Sequence, residues 1–124
     1  MNKFLAIDDS KVALMQAKKY FTKLFPDCEV LTSPNPEDGV QLIKEHKDSL
    51  DLILLDFNMK EMTGLDVIEA VTGDIDLSKI IVCTANLQTI LKNKVIEKGA
   101  YFIEKPLSEQ KLNEAITNQQ KKAS

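Results

Sequence analysis

Five short apolar runs alternate with amphipathic stretches along the chain, and this alternation constrains the fold more than any other feature. Most of the runs lack the polar alternation of a half-exposed strand, which is typical of strands covered on both faces. Between the runs, apolar residues recur at helical spacing. Strands that alternate with helices form a parallel sheet with helices on both faces, so we expect a doubly wound α/β fold. The predicted strands cover residues 4–7, 29–33, 52–55, 80–83 and 101–104.

Capping residues and buried spacings locate the helices between these strands. Asn35 is typical of an N-cap with Pro36 at the first helical position, and Ser108 is expected to cap the last helix. Gly39 costs a helix up to ~1 kcal/mol relative to alanine, which indicates close packing of this helix on the sheet. The expected inward-facing residues are, helix by helix, Leu14, Ala17, Phe21 and Leu24; Val40 and Ile43; Leu65, Ile68 and Val71; Leu91, Val95 and Ile96, before Gly99; and Leu112 and Ile116.

Length and composition favour one cytoplasmic domain spanning residues 1–124. A chain of 124 residues buries roughly two-thirds of its unfolded surface, enough for a core without staples. Its net charge of −3 gives no reason to expect direct binding to nucleic acid or anionic lipid. Cys28 and Cys83 are predicted to be reduced thiols. The first apolar run, residues 4–7, is too short for a signal peptide or a membrane span.

Reactive side chains follow four of the five predicted strands. Asp8 and Asp9 follow the first, Asp56 follows the third, Thr84 follows the fourth and Lys105 follows the fifth. Parallel pairing gathers these groups at the carboxyl edge of the sheet, where ligands bind in such folds. The sequence therefore predicts one site assembled from four strand ends.

Each group also has an ordinary structural interpretation. Asp8 and Asp9 before a helix are often a cap and a dipole partner. Thr84 could start a helix, and Lys105 could be a solvated lysine before a proline. Those interpretations do not explain three converging carboxylates, since each pair costs roughly 4 kcal/mol at contact distance in a moderately screened site. A bound divalent cation would explain them.

The residue types fit phosphoryl transfer with magnesium. Mg²⁺ prefers oxygen ligands and commonly takes one or two carboxylates directly. A carboxylate such as Asp56 can attack phosphorus to form an aspartyl phosphate. Magnesium and Lys105 would neutralise the phosphoryl oxygens, and Thr84 could donate a hydrogen bond to one of them.

These residues resemble the response-regulator receiver domains of two-component signalling, particularly the chemotaxis-type single-domain members. The resemblance extends over essentially the whole chain and implies a flavodoxin-like sheet with strand order 2-1-3-4-5. Each motif is weak alone, whereas their order and spacing together are specific. The motifs are Asp8-Asp9, Leu54-Leu55-Asp56-Phe57-Asn58-Met59, Met62-Thr63-Gly64, Thr84-Ala85, Gly99-Ala100 and Phe102-Ile103-Glu104-Lys105-Pro106.

The resemblance implies a role for each metal-site residue. Asp56 would be the phosphoacceptor, and Asp9 and Asp56 would ligate Mg²⁺ directly. The backbone carbonyl of Asn58 would be a third ligand, and Asp8 would act through water.

The resemblance also implies a switch and a set of partners. Thr84 and Lys105 would contact the phosphoryl group, Phe102 would be the rotating switch aromatic, and the Lys105–Pro106 bond would be cis. A sensor histidine kinase or phosphotransfer protein would supply the phosphoryl group. An output protein, or a phosphatase, would bind the face made by the fourth helix, fifth strand and fifth helix. The protein would be a monomer or a phosphorylation-dependent dimer.

Three positions depart from the family pattern. Lys60 stands where proline is common after the phosphorylation site. Only Tyr101 separates Gly99-Ala100 from Phe102, where two residues are usual, so the turn into the fifth strand is expected to be tighter. Phenylalanine at position 102 excludes a switch that uses a tyrosine hydroxyl there.

Two other functions stay open at this point. A magnesium-dependent phosphatase with an aspartyl nucleophile commonly has a second acid two residues after the nucleophile, where this chain has Asn58. A receiver-like module that signals without phosphorylation would not need Asp9, Asp56, Thr84 and Lys105 together. The sequence names neither the kinase nor the output target.

Overall fold

Five parallel strands form the centre of the molecule, whose computed structural model describes residues 3–85 and 96–123. The strand order is β2-β1-β3-β4-β5, and every neighbouring pair is parallel. This confirms the predicted doubly wound sheet and its order. The strands are β1 (Lys3–Ile7), β2 (Glu29–Ser33), β3 (Leu52–Asp56), β4 (Ile80–Thr84) and β5 (Tyr101–Glu104).

Four of the five predicted helices lie in the described part of the chain. Ile96 and Glu97 are also helical, and Gly99 follows with a φ of 92°. Leu91 and Val95, the other residues predicted for that fourth helix, lie outside the described residues. The described helices are α1 (Lys11–Leu24), α2 (Pro36–Glu45), α3 (Gly64–Val71) and a C-terminal helix (Glu109–Ala123), with a 3₁₀ turn at Leu77–Lys79.

The sheet separates two hydrophobic cores. On one face, α1 and the C-terminal helix pack around Phe4 and Phe21, whose rings stack 4.4 Å apart. On the other face, α2 and α3 cover the alternate residues of the strands. All five residues of β3 are buried, as expected for a central strand covered on both sides. The carboxyl end of β3 is therefore rigidly placed.

Local chemistry explains how α2 is positioned on the sheet. The Asn35 side chain accepts hydrogen bonds from the backbone N–H groups of Glu37 and Asp38 at 2.8 and 3.3 Å, which confirms the predicted N-cap. A Cβ atom on Gly39 would lie 2.6 Å from Cδ1 of the buried Ile7. The helix thus approaches β1 closely at Gly39, which confirms the close packing on the sheet predicted from this glycine.

Candidate functional site

The predicted reactive residues converge at the carboxyl edge of the sheet. Asp56 ends β3, Thr84 ends β4, and Asp8 and Lys105 directly follow β1 and β5. Backbone hydrogen bonds extend the strand pairing to these residues: Asp8 N–H donates to Ser33 at 3.1 Å, and Lys105 N–H donates to Thr84 at 2.7 Å. The topology therefore brings together groups from four strands.

One ammonium group bridges two carboxylates in this site. The Lys105 Nζ lies 3.1 Å from Asp8 Oδ2 and 3.1 Å from Asp56 Oδ1. Asp9 completes the cluster, since one carboxylate oxygen from each of the three aspartates lies within 4.8 Å of the others. Asp8 and Asp56 are buried, whereas Asp9 is exposed. The cluster therefore opens to solvent beside Asp9.

Burial and neighbouring charges perturb the ionisation of Asp56 and Lys105. The pKa of Asp56 rises from 3.8 to about 6 because burial disfavours the carboxylate and Asp8 repels it, while Lys105 opposes the rise. Burial also disfavours the Lys105 ammonium, but attraction and hydrogen bonding to Asp56 and Asp8 outweigh it and raise the Lys105 pKa. Lys105 therefore compensates the carboxylates incompletely.

The donor set fits a hard divalent cation. Three carboxylates supply the oxygen ligands that Mg²⁺ prefers, and their spacing allows them to share one ion. The raised pKa of Asp56 means that burial and repulsion by Asp8 together outweigh the attraction of Lys105. A bound cation would add positive charge to this cluster.

Contacts with the backbone of two serines orient Asp8, and the sequence predictions missed both. The Ser10 backbone N–H donates to Asp8 Oδ1 at 2.9 Å. Ser33, the last residue of β2, is buried and accepts the Asp8 N–H through its carbonyl. The Asp-Asp-Ser order could have suggested the first contact. The second depends on strand pairing between β1 and β2.

The segment after Asp56 folds back on itself, so that Gly64 returns to the backbone of Phe57. The Gly64 N–H donates to the Phe57 carbonyl at 2.8 Å, and a Cβ on Gly64 would lie only 3.0 Å from Phe57 Cα. This close approach explains the glycine of the Met62-Thr63-Gly64 motif. The exposed Asn58 side chain donates to the Thr84 hydroxyl at 3.4 Å. Asn58 and Thr84, predicted from separate motifs, are therefore neighbours.

Phe102 lies half-buried on β5, in the position predicted for the switch aromatic. It pairs with Val82, while Thr84 pairs with Glu104, so Thr84 and Phe102 share one face of the sheet. The Phe102 ring packs against the core on that face, and its centroid lies 6.0 Å from that of Tyr101. The Lys105–Pro106 bond is cis, as predicted.

Comparison with known proteins places this geometry in a family. The family model described as the response regulator receiver domain matches residues 4–117. The chain belongs to the response regulator receiver family. A chemotaxis protein CheY from Thermotoga maritima is 33% identical over 114 residues, covering 90% of this chain and 92% of that protein.

Solved receiver structures share the fold. A response regulator receiver domain from Clostridium thermocellum aligns with a TM-score of 0.85 at 24% identity, covering 99% of this chain and 97% of that one. A CheX-CheY-BeF3-Mg complex from Borrelia burgdorferi contains a chain that aligns with a TM-score of 0.84 at 24% identity, covering 94% of this chain and 87% of that one. At this identity the likeness establishes the architecture alone.

Membership of the receiver family sets the general class of function. This is a CheY-like receiver domain of a response regulator, and such domains are signalling domains in two-component systems rather than classical enzymes. Receiver domains typically bind Mg²⁺ and interact with kinases and output proteins. Among residues 3–85 and 96–123, no helix has the length and apolarity required to cross a membrane.

Proposed function

We propose that residues 1–124 form a phosphorylation switch in which Asp56 accepts a phosphoryl group. A sensor histidine kinase or a phosphotransfer protein would be the donor. The observation that carries the proposal is the Lys105 ammonium, which lies 3.1 Å from both Asp8 and Asp56 beside the exposed Asp9. This arrangement combines a nucleophile, a cation and a shared oxygen-ligand set.

The acidic cluster would hold the metal that the transfer requires. Asp9 and Asp56 would ligate Mg²⁺ directly, Asp8 would act through water, and the Asn58 backbone carbonyl would be a further ligand. When bound, Mg²⁺ supplies positive charge to the transferring phosphoryl oxygens.

Asp56 acts as the nucleophile in this proposal. With a pKa of about 6 it is ionised in roughly nine-tenths of molecules at pH 7. One carboxylate oxygen forms a bond to phosphorus while the bond from phosphorus to the donor breaks, and the donor leaves with that electron pair. Burial of Asp56 excludes water from most of its surroundings.

Lys105 and Thr84 stabilise the transferred group. The raised pKa of Lys105 keeps its ammonium charged, and that ammonium already contacts Asp56, where the phosphoryl group would be attached. The buried Thr84 hydroxyl would donate a hydrogen bond to another phosphoryl oxygen. Both groups come from neighbouring strand ends, so little rearrangement is needed to bring them together.

Phosphorylation would change the face that includes β5 and the C-terminal helix. Movement of Thr84 toward the phosphoryl oxygens would let Phe102 turn inward, which alters the surface offered to an output protein. A nearly complete reversal of such an equilibrium needs about 5.5 kcal/mol of differential stabilisation. A phosphatase is a further candidate partner, and we propose a cytoplasmic monomer or phosphorylation-dependent dimer.

Transfer from a small phosphodonor tests the proposal. Wild type and Asp56→Asn are incubated with acetyl phosphate and Mg²⁺, and intact-mass spectrometry counts the phosphoryl groups. We expect one group on the wild type and none on the variant. An unmodified wild type, or an equally modified variant, would overturn the assignment. Turnover of p-nitrophenyl phosphate would instead identify a phosphatase.

A further inference from the structure

Lys111 occupies a position that the chemistry of its own helix disfavours. It is the third residue of the C-terminal helix, whose start is capped by Ser108: the Ser108 hydroxyl accepts the Lys111 N–H at 3.1 Å. This third position favours glutamate or glutamine, and a positive charge in the first turn opposes the helix dipole. Helix formation therefore gives no reason for a lysine here.

The Lys111 side chain instead turns back over the end of β5. Its Nζ donates to the Glu104 carbonyl at 3.0 Å and to the Pro106 carbonyl at 3.0 Å. These two carbonyls lie on either side of Lys105. A third hydrogen bond holds this segment, because the Lys105 N–H donates to the Thr84 carbonyl at 2.7 Å. Among the described strands β5 lies at the edge of the sheet and pairs with β4, so the Lys111 contacts hold the end of an edge strand.

We propose that Lys111 is a positioning residue for phosphoryl transfer, acting through Lys105; this inference rests on the function proposed above. The lysine side chain is long and flexible, so where the Lys105 ammonium lies depends on where its backbone is held. Lys111 holds the flanking carbonyls, which keeps the Lys105 Nζ at 3.1 Å from both Asp8 and Asp56. Displacement by about 1 Å can slow a reaction up to 10²-fold.

Phosphorylation rates of matched variants test the role of Lys111. With acetyl phosphate and Mg²⁺, Lys111→Met should react about tenfold more slowly than wild type, because Lys105 loses its fixed position. Lys111→Arg keeps a cation with several donors and should stay within about threefold. Lys23→Met is the control. The Nζ of Lys23, a residue of α1, lies 3.9 Å from Oε1 of Glu109, the first residue of the C-terminal helix, so this change removes a positive charge near that helix without removing a contact to Glu104 or Pro106. It should stay within about twofold.

A double-mutant cycle separates positioning from general stabilisation. In a Lys105→Met background, Lys111→Met should cause no further slowing, whereas a purely structural effect would slow both backgrounds by the same factor. Urea melts verify that each variant is folded, and Lys111→Gln replaces Lys111→Met if the latter is not.

Three results would overturn this inference. Reaction of Lys111→Met at the wild-type rate, or equal slowing in both backgrounds, would refute it and leave the proposed function standing. An unreactive wild type would refute both.

Discussion

Replacing Asp56 with asparagine should stabilise the metal-free protein, although it removes the proposed phosphoacceptor. Asp56 is buried beside Asp8 and near Asp9, and Lys105 compensates these charges incompletely. The Asp56→Asn change keeps the size and shape of the side chain while deleting one negative charge. The variant therefore resembles the wild type with a protonated Asp56.

The pKa of Asp56 gives the size of the stability gain expected from Asp56→Asn. Folding raises this pKa from 3.8 to about 6, so the folded protein holds the proton more tightly than the unfolded chain does. Each tenfold change in proton affinity corresponds to about 1.36 kcal/mol, so ionised Asp56 destabilises the fold by about 3 kcal/mol. This net rise already includes the attraction of Lys105, and partial screening of the charges lowers the gain, so we expect about 1–3 kcal/mol at pH 7.5.

The stability gained by Asp56→Asn must increase with pH. Because the folded pKa is raised, the wild type keeps its full stability below pH 3.8 and loses the Asp56 contribution as pH rises toward and through 6. The advantage of Asp56→Asn should therefore be small near pH 4, about half developed at pH 5 and nearly complete above pH 7. Urea melts of both proteins in EDTA at pH 5 and 7.5 measure this difference.

Magnesium should reduce or abolish the stability advantage of Asp56→Asn. A ligand at a hundredfold excess over its dissociation constant stabilises the folded state by about 2.7 kcal/mol, and the wild type should approach that gain. Asp56→Asn has lost one charged ligand and should gain much less. Destabilisation by Asp56→Asn in EDTA would contradict the account of charge repulsion. Equal gains from magnesium in the two proteins would show that Asp56 does not share a metal site with Asp8 and Asp9.

Three further predictions concern the fold and the switch. Gly39→Ala should destabilise the protein by about 1–3 kcal/mol in urea melts, because the new Cβ would lie 2.6 Å from Ile7 Cδ1. This cost should exceed the better helix propensity of alanine, and unchanged stability would mean that Ile7 moves freely. Asn35→Ala should cost about 1 kcal/mol in the same assay, since two backbone N–H groups lose their acceptor, and unchanged stability would contradict the cap. Beryllofluoride with Mg²⁺ should shift amide resonances as far as Phe102 and the C-terminal helix; shifts confined to the surroundings of Asp56 would refute the switch.

The parallel sheet and the convergence of the reactive residues were predictable from the residues themselves, whereas the strand order 2-1-3-4-5 was implied by the resemblance to receiver domains. Apolar runs covered on both faces identify a parallel sheet, and the residues after those runs must then meet at one edge. Asp8, Asp56 and Lys105 meet there as predicted, with Lys105 and Asp8 97 residues apart in the sequence. The proposed roles of these residues still await measurement.

The contacts of the longer side chains were not predictable. Lys105 was expected to lie near the carboxylates and to contact a phosphoryl group, but the 3.1 Å contacts of its ammonium with both Asp8 and Asp56 could not be specified from the sequence. Rotamers selected by tertiary packing likewise determine two other contacts. These are the hydrogen bonds from Lys111 to the carbonyls of Glu104 and Pro106 and the contact of Asn58 with Thr84. Local sequence patterns determine backbone class and burial, whereas these contacts need the assembled fold.

Locating the phosphoryl group on the chain tests the central claim most directly. Borohydride reduces an aspartyl phosphate to homoserine, which leaves a permanent mark at the modified residue. The phosphorylated protein is reduced and digested, and its peptides are sequenced by mass spectrometry. We predict homoserine at position 56. Homoserine at position 8 or 9, or a phosphoryl adduct that leaves no homoserine at all, would contradict the assignment of Asp56 as the phosphoacceptor.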